Sequence, residues 1–311
     1  MSNKRDAIRS FLKLEPAATD VPLVIETSTE EEGYRRSLVT YSDRHGHPIP
    51  AYLFEPTESA TGNGVVALHQ HNSRWDIGKS EVAGLDGDPL QAFGPALARR
   101  GISVLAPDAI GFESRRDTAP EIPDVAPPIE NPRNSIENWL QYYNHAMHRI
   151  VQGELLIRDV LDDVARAVTV LQSRKTIDRT GLIGHSYGGT AALFAAALDE
   201  RSDYACVSGA LCSYARKFSD GIPLDMALVI PGFAAEFDVD DLVDSITPRP
   251  LFVVSADADR YSADAEAVIE KSHASFQERG CAENLRHLHV TGGHPLDHER
   301  FEAIIAWVAE R

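Results

Sequence analysis

Leu182-Ile183-Gly184-His185-Ser186-Tyr187-Gly188-Gly189 decides the reading of this chain. An apolar run ends at Gly184, and a small-residue stretch, Thr190-Ala191-Ala192-Leu193-Phe194-Ala195-Ala196-Ala197, follows. The pattern predicts a strand, a sharp turn and a helix, with a serine at the apex. The G-x-S-x-G spacing suits a crowded turn. Side chains at Gly184 and Gly188 would clash across it, and the serine must accept an unfavourable backbone. In return Ser186 Oγ projects freely, and the helix N-terminus behind it favours developing negative charge.

Two further segments supply partners in chain order. Pro250-Leu251-Phe252-Val253-Val254-Ser255 is a short apolar, β-branched run, as expected of a buried parallel strand. It leads into Ala256-Asp257-Ala258-Asp259-Arg260-Tyr261 and then a predicted helix over 263–278. Leu285-Arg286-His287-Leu288-His289-Val290 alternates like a strand and ends in Thr291-Gly292-Gly293-His294-Pro295, before an amphipathic helix over 297–310. A serine hydroxyl is a poor nucleophile at neutral pH, so an imidazole must take its proton and later return it to the leaving group. A carboxylate holds that imidazole in the right tautomer. These roles fall to Ser186, His294 and an aspartate. Asp257 and Asp259 would point the same way along an extended segment. The spacing after the strand favours Asp259, leaving Asp257 as a solvated or turn-stabilising residue.

The oxyanion donors should come from the turn itself and from another strand end. Gly64-Val65-Val66-Ala67-Leu68 runs into His69-Gln70-His71-Asn72. The expected backbone N–H donors are those of Tyr187 and His71, with Gln70 as the alternative to His71. No carboxylate or cysteine completes a metal-ligand spacing with these histidines. His145 and His148 could share a helix face but make only two ligands, and His45 and His47 read as loop residues. Neither a metal nor an organic cofactor is expected.

Four segments together resemble the α/β-hydrolase superfamily, and within it the dienelactone-hydrolase and acetyl-xylan-esterase-like branch. They are Ala67-Leu68-His69-Gln70-His71-Asn72, Val104-Leu105-Ala106-Pro107-Asp108-Ala109-Ile110-Gly111-Phe112, Gly184-His185-Ser186-Tyr187-Gly188-Gly189 and Ile246-Thr247-Pro248-Arg249-Pro250-Leu251. The resemblance spans residues 35–310. It departs at His69-Gln70, where many relatives have His-Gly. It implies a mostly parallel sheet of about eight strands, helices on both faces and a cap built from insertions. It also implies hydrolysis of carboxylic esters through an acyl-enzyme, an acetyl or other small-acyl ester among them. The same triad could serve a lactone, thioester, amide or activated C–C bond, or an acyltransferase. A non-catalytic binding protein on this scaffold is the reading that Ser186, His294 and Asp259 argue against.

Composition fits. At 311 residues with 43% hydrophobic content, the chain can bury one large α/β core. A net charge of −17 argues against nucleic acid and anionic membranes as partners. The first residues lack the apolar core of a signal peptide, and no apolar run reaches spanning length. Cys206, Cys212 and Cys281 have no disulfide-scaffold spacing. A cytoplasmic enzyme acting on a small ester is expected.

One domain over 1–311 is expected, with 1–34 as an N-terminal extension. There a short amphipathic helix over 7–14 and a polar segment would cap the domain or contact another subunit of a homo-oligomer. Ser37–Tyr41 and Ile49–Phe54 flank the turn signal Asp43-Arg44-His45-Gly46 and predict the hairpin that opens the sheet. A helix over 153–173 carries apolar residues at Ile157, Val160, Leu161, Val164, Val168 and Leu171. Insertions over 111–150 and 213–245 are expected to build the pocket. The first is Pro-rich (Pro120, Pro123, Pro127, Pro128, Pro132), and Trp139, Tyr142, Tyr143, Tyr214 and Phe233 are the candidate substrate-binding residues. Arg115, Arg116, Arg216 and Lys217 either attract an acidic substrate or are ordinary surface charge.

Overall fold

The computed structural model describes residues 4–116 and 136–311, so the prolines at 120–132 lie outside the described residues. Among the described residues nine strands form one sheet. They are β1 (Val24–Glu31), β2 (Tyr34–Ser42), β3 (Pro48–Pro56), β4 (Asn63–Leu68), β5 (Ser103–Pro107), β6 (Arg179–His185), β7 (Tyr204–Ser208), β8 (Leu251–Ala256) and β9 (Leu285–Val290). Their order is β1-β2-β3-β5-β4-β6-β7-β8-β9. The first three strands form an antiparallel meander, with β3 antiparallel to β5. From β5 to β9 every pairing is parallel. This is the α/β-hydrolase architecture.

Every residue of β4, β5, β7 and β8 is buried, as the apolar runs of β4 and β8 predict for strands covered on both faces. Successive side chains enter opposite layers. Val66, Leu68, Leu182, Val207 and Val253 pack beneath the helices Leu156–Gln172, Tyr187–Leu198, Val239–Ile246 and Ala265–Glu278. Val65, Ala67, Ile183, Cys206 and Val254 pack on the other face against Phe93–Ala98 and His298–Ala309. The six apolar residues expected along the helix Leu156–Gln172 are all buried.

Two expectations need correction. The expected mostly parallel sheet is present, but 1–34 is not only an extension, because it carries β1, the ninth strand. Its sequence, VIETSTEE, is exposed on both faces except at the half-buried Glu31, so it lacks the apolar alternation that marks a half-buried strand. The β2–β3 hairpin therefore lies one strand in from the sheet edge. Second, Val239–Ile246, which begins inside the 213–245 insertion and ends just past it, belongs to the framework. Val239, Leu242, Val243 and Ile246 are buried in the core, and Asp238 with Asp241 forms a capping box at its start. No helix among the described residues is long and apolar enough to cross a membrane.

Candidate active site

The chain direction puts the ends of β4, β6, β8 and β9 on one edge of the sheet. The route from β4 runs to β5 on one side and to β6 on the other, so a crevice opens at that edge. Ser186 follows β6 directly. Its φ of 57° and ψ of −122° lie where side chains are seldom found. Glycine flanks it for a measurable reason. A Cβ on Gly184 would lie 2.2 Å from the Gly188 carbonyl carbon, and one on Gly188 would lie 2.1 Å from Leu68 O. The turn therefore passes tight against β4, and Ser186 N–H donates to Ser208 O at 2.8 Å.

The far end of the helix Tyr187–Leu198 is also secured. Arg249 donates to the carbonyls of Ala196, Asp199 and Ser202, Arg5 to Ala197 O and Arg9 to Leu198 O. Cationic donors complement a helix C-terminus, so the element that carries Ser186 is held at both ends.

Ser186 Oγ lies 2.8 Å from His294 Nε2, and His294 Nδ1 lies 2.9 Å from Asp259 Oδ1. Asp259 is buried and also accepts from Tyr261 N–H and Ser262 Oγ. Burial alone would raise its pKa, but the hydrogen bonds from His294, Ser262 and Tyr261 outweigh burial and hold it below the usual aspartate range. Asp257 does something else. It is exposed and accepts the Gly292 N–H at 2.9 Å, tying its loop to the one that carries His294. The two aspartates do not point the same way, because a turn at 257–258 replaces the extended segment that alternation assumed.

The strand ends are cross-tied behind the serine. His69 lies between two bonds, Nδ1–H donating to Gln70 O and Nε2 accepting from Ala109 N–H. Those partners fix one neutral tautomer, and burial lowers its pKa to about 4. Gln70 turns its side chain away to Glu81. His71 instead lines the cleft, its Nδ1 accepting from Ser73 N–H and its ring packed on Trp75, Phe112 and Tyr142. The backbone N–H groups of His71 and Tyr187 have no hydrogen-bond acceptor among the described residues.

Ser186, Tyr187, His71 and His294 share a cleft of about 440 Å³, walled by Trp75, Trp139, Tyr142, Asp225, Met226 and Tyr261 among others. Of the candidate substrate-binding residues, Trp139 and Tyr142 are in this wall. Tyr143 stacks behind Trp139, with ring centroids 5.2 Å apart. Tyr214 and Phe233 do not reach the cleft, which corrects the expectation for both. Tyr214 is buried with its hydroxyl on Leu228 O, and Phe233 is enclosed by Phe11, Phe194, Tyr214 and Phe237. Apolar burial won at these positions. Sequence reasoning missed Asp225, which accepts from Tyr142 OH and Ala227 N–H at 2.8 Å each and points Oδ2 toward His71. It also missed Tyr261, whose ring lies 4.7 Å from that of His294. Neither residue carries a local signal. No group of three or more metal-ligating side chains occurs among the described residues.

Comparison with known proteins agrees with this architecture. Residues 131–221, the segment holding Ser186, match the family model of acetyl xylan esterase, AXE1. The Bacillus subtilis protein named "Putative hydrolase YtaP" is 28% identical over 305 residues, covering 92% of this chain and 93% of its own. Among solved structures, a "putative acetyl xylan esterase" from Bacteroides fragilis superposes with a TM-score of 0.77 at 14% identity, over 99% of this chain and 86% of that one. A glucuronoyl esterase from Solibacter usitatus superposes with a TM-score of 0.68 at 14% identity, over 99% and 92%. At such identities the structural likenesses establish the fold alone. The sheet, the family match and the hydrolase relative together make this chain an α/β-hydrolase of the carboxylesterase type, similar to the acetyl xylan esterases.

Proposed function

We propose that the protein is a serine esterase that cleaves small-acyl carboxylic esters through an acyl-enzyme. The observation that carries this reading is the unbroken chain Ser186 Oγ, His294 Nε2, His294 Nδ1, Asp259 Oδ1, with its two links of 2.8 and 2.9 Å. Ser186 Oγ attacks the ester carbonyl while His294 takes its proton. The imidazolium is stabilised by Asp259, which stays ionised. The oxyanion that forms accepts from the N–H groups of Tyr187 and His71, which are fixed before the charge develops. His294 then protonates the departing alcohol. A water molecule, deprotonated by the same imidazole, releases the acid.

Two features support a small ester on a larger polyhydroxylated alcohol. The cleft is open and lined by polar as well as aromatic groups, and Trp139 is 40% exposed there with Tyr143 stacked behind it. A rigid aromatic face of this kind suits a sugar ring. The helix Ile136–Val151 and the segment from Lys217 to Leu228 would act as the selectivity-determining cap.

The deciding experiment pairs active-site labelling with a substrate panel. A fluorophosphonate probe should attach to Ser186, and p-nitrophenyl acetate and acetylated sugars should be hydrolysed. Labelling elsewhere, or persisting in Ser186→Ala, overturns the assignment. Turnover of lactones or thioesters in preference to acetates would keep the nucleophile and change the substrate. The steps use only groups of this chain, so activity should survive dialysis against EDTA.

A further inference from the structure

Arg115 and Arg116 follow β5, Arg216 and Lys217 follow β7, and the fold separates the four. Arg115 is paired with Asp163 at 2.5 Å, with Asp43 at 3.6 Å. Arg116 lies on Glu113 O and Asn138 Oδ1, and Arg216 pairs with Asp220 at 2.6 Å on the surface. Lys217 has no such neutralising partner. It is only 6% exposed, yet it lines the cleft that holds Ser186 and His294. Its Nζ donates to Cys212 O and lies 5.8 Å from the centre of the Tyr214 ring. No carboxylate among the described residues lies within ion-pair distance of it, and no other Lys or Arg among them lines the cleft.

A desolvated ammonium without a counter-ion is costly, so ordinary packing gives no reason to retain it at this depth. One carbonyl uses one of its three N–H bonds. Burial holds its pKa below that of an ordinary lysine, although Cys212, and after it Asp264 and Asp238, act in the other direction. Asp225, the one carboxylate lining the cleft among the described residues, is already engaged by Tyr142 OH and Ala227 N–H. The protein as a whole carries a charge of −17, so long-range steering would not bring an anion here. Recognition of an anion must therefore be local and directional.

We propose that Lys217 is the docking point for an anionic group of the substrate, a carboxylate carried on the acyl or the alcohol part of the ester. This rests on the esterase reading and narrows its substrate class. The carboxylate would supply the missing counter-ion, accept the unused N–H bonds and orient the scissile carbonyl over Ser186. A charge-assisted pair in a desolvated site is stronger than the same pair in water.

The test uses matched pairs of esters. p-Nitrophenyl acetate is compared with p-nitrophenyl hemiglutarate, which carries the carboxylate on the acyl side. Phenyl acetate is compared with 4-acetoxybenzoate, which carries it on the alcohol side. Wild type, Lys217→Met and Lys217→Arg are measured, with melting temperature as a check on folding. For one pair, the ratio of anionic to neutral kcat/KM should fall about tenfold or more in Lys217→Met, mostly through KM, and recover partly in Lys217→Arg. The arm that falls identifies the side of the ester. Ratios unchanged in both arms, or anionic and neutral esters weakened alike, would overturn the proposal. Calorimetric titration with glutarate and with 4-hydroxybenzoate reads the same site without turnover. Wild type should bind one of them and Lys217→Met should not, and equal binding by both proteins would also overturn it. If wild type binds one anion but hydrolyses none of the four esters, the esterase reading fails while the anion site stands.

Discussion

The ring of His185 stands 5.0 Å from the ring of His294, at 30° to it, directly behind the histidine that meets Ser186. His185 is fully buried and its Nδ1 lies 2.9 Å from Ser208 Oγ, across the β6–β7 register. Burial, and then the neighbouring His294, lower its pKa to about 3, so it stays neutral wherever the enzyme works. In the unfolded chain the same ring takes a proton near pH 6.5. Between about 6.5 and 3 the unfolded state therefore binds more protons, and stability falls as the pH drops through that window. His69, near 4, acts in the same sense, while Asp108, raised by burial to about 6, acts in the opposite one. The comparison with His185→Phe cancels those other groups. The decline of melting temperature from pH 6 to pH 4 should be shallower in the variant, and parallel curves would contradict the assignment.

Ser186 carries backbone strain that a different residue relieves. A non-glycine residue at φ 57°, ψ −122° costs on the order of 1–3 kcal/mol, and glycine tolerates this region. Ser186→Ala and Ser186→Gly should both lose about 10⁴-fold or more in kcat. Only the glycine variant should melt higher, by roughly 2–4 °C per kcal/mol of strain released. Differential scanning calorimetry beside the activity assay decides this, and a glycine variant that melts lower than wild type would refute the strain argument.

Asp259 and Asp257 separate cleanly in a paired substitution. Asp259→Asn offers His294 Nδ1 a partner of ambiguous donor character, so the imidazole loses its enforced tautomer. A fall in kcat of about 10³–10⁴-fold is expected. Asp257→Asn keeps an oxygen for the Gly292 N–H and should retain most activity. Depressed in the folded state, Asp259 also contributes stability that is present above its unfolded pKa and disappears as pH falls through the folded one. Steady-state kinetics on both variants would detect the opposite ranking, which would transfer the role to Asp257.

Trp139 and Phe233 test the difference between cleft and core. Trp139→Ala removes a partly exposed face of the cleft. It should shift discrimination among alcohol groups by about 1–3 kcal/mol with little change in melting temperature. Phe233 is fully buried among four aromatic rings, so Phe233→Ala should cost about 3–5 kcal/mol of stability and leave substrate ratios unchanged. A melting curve and a substrate panel on each variant suffice. Selectivity changes in Phe233→Ala would return that residue to the substrate site.

The sequence by itself determined the framework, because the framework is written in local patterns. Apolar runs mark β4, β6 and β8, the spacing of Ile157 to Leu171 marks a packed helix, and the two glycines around Ser186 are demanded by contacts as close as 2.1 Å. The chain order of Ser186, the aspartate loop and His294 was equally legible, since each follows a strand and parallel strands end on one edge. β1 escaped because a strand exposed on both faces needs no apolar alternation. Tertiary structure alone separated Asp257 from Asp259, since a two-residue turn sets which carboxylate reaches an imidazole 35 residues away. It alone put His71 in the cleft wall and turned the side chain of Gln70 aside, enclosed Tyr214 and Phe233 while leaving Trp139 open, and left Lys217 without a carboxylate partner. Such outcomes depend on which side chains from distant segments fill the same space. An aromatic or a lysine has the same local pattern whether a core, a cleft or solvent receives it.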